Sequence, residues 1–265
     1  FFFDTMSLLG DVLAHDSVGP AAVSFSICAL WCGVVCGLTG LLNFYPERYQ
    51  EEPGKKILWG TTSVAMAIPP FIVPYYAYLG LMEFQETQGQ LTMVGPSNYN
   101  LRFALGFSLG YMAFDTAMMV VFYKPLRKAL KPALYDQMMY HHVLSLLLWP
   151  YAFYVEKCIV AIGYFLFTES SNFLLNLRWH MAEKQYEGPA MMLVQFLFLI
   201  MYTAVRVLPI PWFVWLFVKT DFSQFSYFEM LLTLTCVIPL MLNLFWYSLI
   251  VKGALKVIRG SGKKE

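Results

Sequence analysis

YDQMMYHHVLSLLLWPYAFYVEKCIVAIGYFLFTESSNFLLNLRWH, residues 135–180, decides the reading of this chain. Two apolar stretches, each near the length that crosses a bilayer, flank a short polar turn at Glu156 and Lys157. The first carries the His141–His142 pair and the second carries Glu169, Asn172 and Asn176. Ionisable groups inside hydrocarbon are costly unless they face protein or water, so two neighbouring spans that hold them mark a functional site.

The whole chain is built for the same solvent. Its residues are 58% hydrophobic and 13% charged, against roughly 25% charged in soluble domains. Apolar stretches recur at about 20–44, 57–80, 101–123, 135–154, 158–179, 190–217 and 227–251. The expected fold is therefore all-α, a polytopic membrane bundle of about seven transmembrane helices. Charge checks the count. Seven spans place Arg48, Lys55, Lys56, Lys124, Arg127, Lys128, Lys131, Arg178, Lys184 and the basic C-terminal tail on one side, leaving Arg102, Lys157 and Lys219 on the other. By the positive-inside rule the C-terminus faces the cytoplasm or a matrix. No nucleic-acid partner is expected.

Pro69, Pro70 and Pro74 must kink or break the second span, whose latter half is expected to be irregular or cavity-facing. Residues 81–100 read as the longest loop on the side poor in basic residues. Phe1–Gly19 lacks a basic stretch ahead of an apolar core and does not read as a complete signal peptide. Cys28, Cys32 and Cys36 share one face of the first span, where packing is the expected role. Gly33-to-Gly37 and Gly106-to-Gly110 are GxxxG spacings that permit close helix approach, within the bundle or between copies.

Polar residues recur at helical spacing in five spans. Tyr111 and Asp115 lie four apart; Ser145 stacks beneath His141 and His142, whose rings diverge by about 100° so that one points fully inward. Glu169, Asn172 and Asn176 form a stripe flanked by Thr168 and Ser171; Gln195, Tyr202 and Arg206 form another, and Asn243, Trp246 and Tyr247 come from the last span. Together they predict an internal polar chamber lined by Tyr111, Ser145, Asn172, Asn176, Tyr202, Arg206, Asn243 and Trp246. A buried carboxylate needs neutralising, which makes Arg206 the expected partner of Asp115 or Glu169. The candidate catalytic residues are His141, His142, Glu169 and Asp115. A neutral imidazole can act as general base or attack an activated acyl group, with Glu169 orienting the ring. No metal is expected, because adjacent histidines on one helix diverge and the i, i+4 histidine spacing of zinc enzymes is absent.

GYMAFD, KPLRKALKP, DQMMYHHVLSLLL, FTESSNFLLNLRW, VRVLP and NLFWYSLIVKGALKVI, in that order, resemble the TLC-domain family, which includes the ceramide synthases and the TRAM translocon-associated proteins. The resemblance covers roughly residues 55–260 and implies six core helices around a membrane-embedded cavity, with the first span as an addition. The chain then divides into an N-terminal segment with its helix (1–54), a TLC-like membrane domain (55–260) and a basic tail (261–265). In ceramide synthases the paired histidines mark the acyl-transfer centre and two aspartates follow on the next helix; Glu169 and Asn172 stand in their place here. With that second carboxylate gone, the pattern is closer to the non-synthase TLC-domain proteins, whose roles concern membrane lipid composition.

The leading expectation is a protein that binds or handles acyl lipids in the chamber and takes part in membrane lipid homeostasis. The alternatives are a non-catalytic structural subunit of a larger membrane complex and a histidine-dependent acyltransferase. No cofactor is expected, although acyl-CoA is the donor an acyltransferase would use, its phosphates drawn to Lys124, Arg127, Lys128 and Lys131 unless that loop is only the positive-inside signal. Expected partners are membrane lipids and other membrane subunits. The resemblance implies the endoplasmic reticulum, with the mitochondrial inner membrane as alternative.

Overall fold

Proline and glycine set most element boundaries in this chain. The computed structural model describes residues 19–258, so the reading of the N-terminal stretch and of the basic tail beyond Ile258 lies outside the described residues. The elements are α1 (Gly19–Leu41), α2 (Pro53–Ala67), α3 (Pro69–Gln88), α4 (Tyr99–Val121), α5 (Tyr123–Leu130), α6 (Pro132–Tyr154), α7 (Ile159–Thr168), α8 (Asn172–Glu183), α9 (Pro189–Tyr202), α10 (Ile210–Lys219), α11 (Tyr227–Thr235) and α12 (Val237–Ile258). The fold is an all-α polytopic membrane bundle. Among the described residues, α1, α2–α3, α4, α9–α10 and α11–α12 are long and apolar enough to cross a membrane by length and composition. The two remaining segments, α6 and α7–α8, are the ones that carry the histidines and the Glu169 stripe.

The expected break in the second span falls at Ile68, but its latter half is a regular helix rather than irregular chain. Pro69 and Pro70 occupy the first turn of α3, where a backbone N–H has no helical partner to lose. That helix also runs further than expected. It continues through Gln88 and stops at Gly89, which takes the left-handed conformation (φ 73°) that a side chain would resist. The loop expected over 81–100 is thus only 89–98, closed by Asn98, whose side chain accepts from the Leu101 N–H at 3.0 Å. Pro239 falls in the first turn of α12 and separates it from α11 at Cys236.

Loops meet at the two ends the charge pattern requires. At the end poor in basic residues, the Cys158 N–H donates to the Met93 carbonyl (2.6 Å), the Gly95 N–H to that of Glu156 (3.2 Å), and the Lys157 ammonium sits 5.1 Å from the Phe225 ring centre. At the basic end Glu183 pairs with Arg48 (2.7 Å) and Lys55 (3.7 Å), and Arg127 pairs with Asp136 (3.2 Å).

Between these ends the core is buried around α4 and α7, while the outward side chains are the ones lipid must cover: Leu30 is 72% exposed and Val218 77%. The most extensive packing joins α1 to α4. It is made possible by Gly106 and Gly110, which lie against the Ala21 and Phe25 carbonyls of α1. Gly33 and Gly37 face open space, so among the described residues this other GxxxG takes no part in packing within the chain. Cys28 and Cys32 are fully buried in the α1–α4 seam, as packing thiols are.

A methyl group at Gly110 would stand 2.5 Å from the Phe25 carbonyl oxygen and 2.9 Å from Cys28 Cβ. Gly110→Ala should therefore destabilise the bundle by about 1–3 kcal/mol, read as a lower melting temperature in detergent, whereas Gly37→Ala should leave it unchanged.

Candidate functional site

Two irregular turns build the polar centre. Between α7 and α8 the helix tightens to a 3-10 turn at Glu169–Ser171, where the Asn172 N–H bonds to the Glu169 carbonyl. That choice frees the Thr168 carbonyl, which in a continuous α-helix would accept from Asn172. Arg206 Nη2 donates to it at 3.0 Å, and the Ser171 hydroxyl at 2.9 Å. After α9 the chain widens into a π-turn at Thr203–Val207, and Pro209 has no N–H for the Val205 carbonyl four residues back. The Tyr164 hydroxyl on α7 donates to that carbonyl at 2.6 Å. Each segment thus supplies the partner that the other's irregularity requires, as a backbone removed from water demands.

Arg206 sits at the centre of the arrangement. Besides Thr168 it donates from Nε to Ser171 Oγ (2.8 Å), from Nη1 to Asn243 Oδ1 (3.2 Å) and from Nη2 to Asn172 Oδ1 (3.0 Å), and its guanidinium lies 5.4 Å from the Tyr202 ring centre. Tyr202 in turn donates to the Asn243 carbonyl at 3.1 Å and stacks on Tyr247. The expectation that Arg206 pairs directly with Asp115 or Glu169 is corrected. Among the described residues neither carboxylate lies within ion-pair distance of it. Asn172 stands between, accepting from Arg206 and donating from Nδ2 to Glu169 Oε2 at 2.6 Å. The carboxylate is linked to the guanidinium through an amide, within electrostatic reach but not in contact.

Asp115 has another partner. Its Oδ2 lies 3.3 Å from His142 Nδ1, both side chains 6% exposed. The approach lacks hydrogen-bond alignment, so both atoms count as buried and without a hydrogen-bond partner among the described residues, as do Thr116 Oγ1 and Ser170 Oγ. The Tyr111 ring meets that of His142 edge to face, 6.1 Å between centres. Ser145 is buried one turn along. His141 behaves differently: its ring lies 5.5 Å from that of His142 but is exposed, and it is within electrostatic reach of Arg206. One histidine is therefore inward and the other accessible, the divergence expected of adjacent helical positions.

The side of α6 that carries His141 is the less packed one. α6 packs on α4, α5, α7 and α11, whereas α9 and α12 pack on each other and on the 203–207 turn, with no comparable packing between α6 and that pair. Glu169, Asn172 and Asn176 are half-buried. Asn176 and Trp246 are the expected residues that the structure does not tie into either group. Tyr164, Thr116 and Ser170 were not anticipated; Thr116 and Ser170 directly follow the two carboxylates in sequence, which is the signal that was available for them.

Residues 50–252 match the family model of the TLC domain. The chain belongs to the TLC-domain family. That match contains every element of the polar centre, from Tyr111 to Asn243. No curated protein and no solved structure matched the chain.

Replacing Arg206 should be costly in a graded way. Arg206→Lys keeps the charge but not the planar fork that serves four acceptors, and it should cost about 1–3 kcal/mol through the acceptors left without donors. Arg206→Leu, which also leaves Glu169 without a nearby cation, should cost about 3–5 kcal/mol. Thermal unfolding of both variants in detergent checks the order.

Proposed function

We propose that this TLC-domain membrane protein binds acyl lipids at the polar centre and serves membrane lipid homeostasis. The carrying observation is that, among the described residues, Asp115 Oδ2, Thr116 Oγ1, His142 Nδ1 and Ser170 Oγ are buried polar atoms without hydrogen-bond partners, and that His142 has the exposed His141 next to it. Such atoms are costly in an apolar surrounding and are the groups a headgroup, an ester or its accompanying water would satisfy. The sparse packing between α6 and the α9–α12 pair supports the same reading, because acyl chains could then reach the exposed His141 from the bilayer without passing through water. In this reading the basic end faces the cytoplasm, as the positive-inside rule requires, and the membrane is that of the endoplasmic reticulum.

A second reading is favoured by one contact, the carboxylate of Asp115 beside His142 Nδ1. A carboxylate there orients an imidazole and stabilises its protonated form, leaving Nε2 for chemistry. With an acyl thioester as donor, Nε2 would take the proton of an amine or hydroxyl as that group attacks the acyl carbon, and the C–S bond would break to release the thiol. Glu169, linked to Arg206 through Asn172, would hold the acceptor.

Mass spectrometry of lipids extracted from the purified protein tests the first reading. An acyl lipid should be retained by the native chain and lost about ten- to a hundredfold in His142→Ala, the range expected for one hydrogen bond to a charged or polar group. Equal retention in a His142→Ala variant of unchanged melting temperature would overturn it, and recovery of a large assembly without specific lipid would favour a structural subunit. For the second reading, incubation with an acyl thioester should give product with the native chain, much less with Asp115→Asn, and none with His142→Ala.

A further inference from the structure

A cavity of ≈ 700 Å³ opens at the end of the bundle poor in basic residues, between the 89–98 loop and the end of α10. It shares no residue with the polar centre. Its volume is that of small-molecule sites. Gln90, Thr92, Trp215, Lys219, Asp221 and Gln224 supply its polar and aromatic lining.

Two of these residues carry opposite charges that do not neutralise each other. Among the described residues neither Lys219 nor Asp221 has an oppositely charged group within ion-pair distance. Thr220 between them is extended (φ −72°, ψ 129°), which sets the two positions about 7 Å apart along the backbone. Asp221 is fixed in place: it caps the 222–224 turn by accepting from the Ser223 N–H at 3.0 Å. Bonds from the Ser223 hydroxyl and N–H hold its carboxyl below the usual carboxylate range. Lys157, by contrast, is already set against the Phe225 ring, so Lys219 is the cation this cavity offers.

We infer that the cavity is a binding site for the headgroup of a zwitterionic phospholipid, its phosphate on Lys219 and its ammonium between Asp221 and the face of Trp215. A lone cation would select anionic lipids and a lone carboxylate would select amines; one of each on a fixed turn selects a ligand carrying both charges. An indole face attracts an alkylammonium through its ring quadrupole. The position argues for a lipid over a dissolved zwitterion. Trp215 and Val218 are half and more than three-quarters exposed on the outer surface of α10, at the level where tryptophans mark the bilayer interface, so acyl chains continue outward into the membrane.

The test is native mass spectrometry of the full-length detergent-solubilised chain titrated with short-chain phosphatidylcholine, phosphatidylglycerol and glycerophosphocholine. Phosphatidylcholine should bind, with affinity lowered about tenfold in Lys219→Gln and in Asp221→Asn, a variant that keeps the capping oxygen. Lys252→Gln, at the opposite end, should leave this binding unchanged, and the losses in Lys219→Gln and Asp221→Asn, far from the histidines, separate the site from the polar centre. Phosphatidylglycerol that binds equally well and ignores Asp221→Asn would overturn recognition of a zwitterion. Glycerophosphocholine that binds as tightly as the lipid would overturn the lipid assignment, and binding unaltered in both cavity variants would overturn the site.

Discussion

The structure depends on one guanidinium. Arg206 ties α7, α8 and α12 to the π-turn after α9, using the Thr168 carbonyl, Ser171, Asn172 and Asn243 as acceptors. In water such bonds replace others of similar strength and contribute little net. In a bilayer the freed Thr168 and Val205 carbonyls have no solvent to turn to, so the side chains that reach them decide whether the irregular turns can exist at all. Arg206 from the π-turn serves the 3-10 turn, and Tyr164 from α7 serves the π-turn. This reciprocity fixes the register of the two segments against each other.

That fixed register places Glu169 where it is. A direct ion pair with Arg206 would spend the carboxylate on structure; Asn172 intervenes and leaves a half-buried acid that is electrostatically supported yet not locked. Asp115 is deeper and meets His142 instead. The two carboxylates thus stand in different surroundings, the condition under which chemically similar groups acquire different tasks.

Much of this was legible in the sequence, for reasons that also explain what was not. Hydrophobic length marks the chain as a polytopic helical membrane bundle, and helical spacing brings Tyr111, Asp115, His142, Glu169, Asn172, Tyr202, Arg206 and Asn243 inward. Spacing gives a face but not its rotation relative to a neighbour, so it could name Arg206 as an inward cation without naming its acceptors. A carboxylate is the strongest partner for an arginine in isolation. Four neutral acceptors, two of them exposed to need by a 3-10 turn and its flanking serine, satisfy it as well, and no periodicity announces a 3-10 or π-turn. The prolines misled in the other direction: Pro69 and Pro70 read as making the second span's latter half irregular, yet at the start of a helix they remove nothing.

The ends of α6 explain why it stays on α4 while His141 remains exposed. At the basic end the Tyr135 hydroxyl donates to the Met119 carbonyl at 2.7 Å and Arg127 holds Asp136; at the other end Tyr151 meets Phe228 of α11, 4.9 Å between ring centres. His141 lies six residues from Tyr135, about 9 Å along the axis, between these two anchors. To cover His141 by packing on α9, α6 would have to tilt and give up the seam with α4 in which Asp115 and His142 meet. Water-driven collapse would favour that exchange in a soluble protein, but lipid fills an apolar gap at little cost. The same contacts that bury one histidine therefore leave the other exposed.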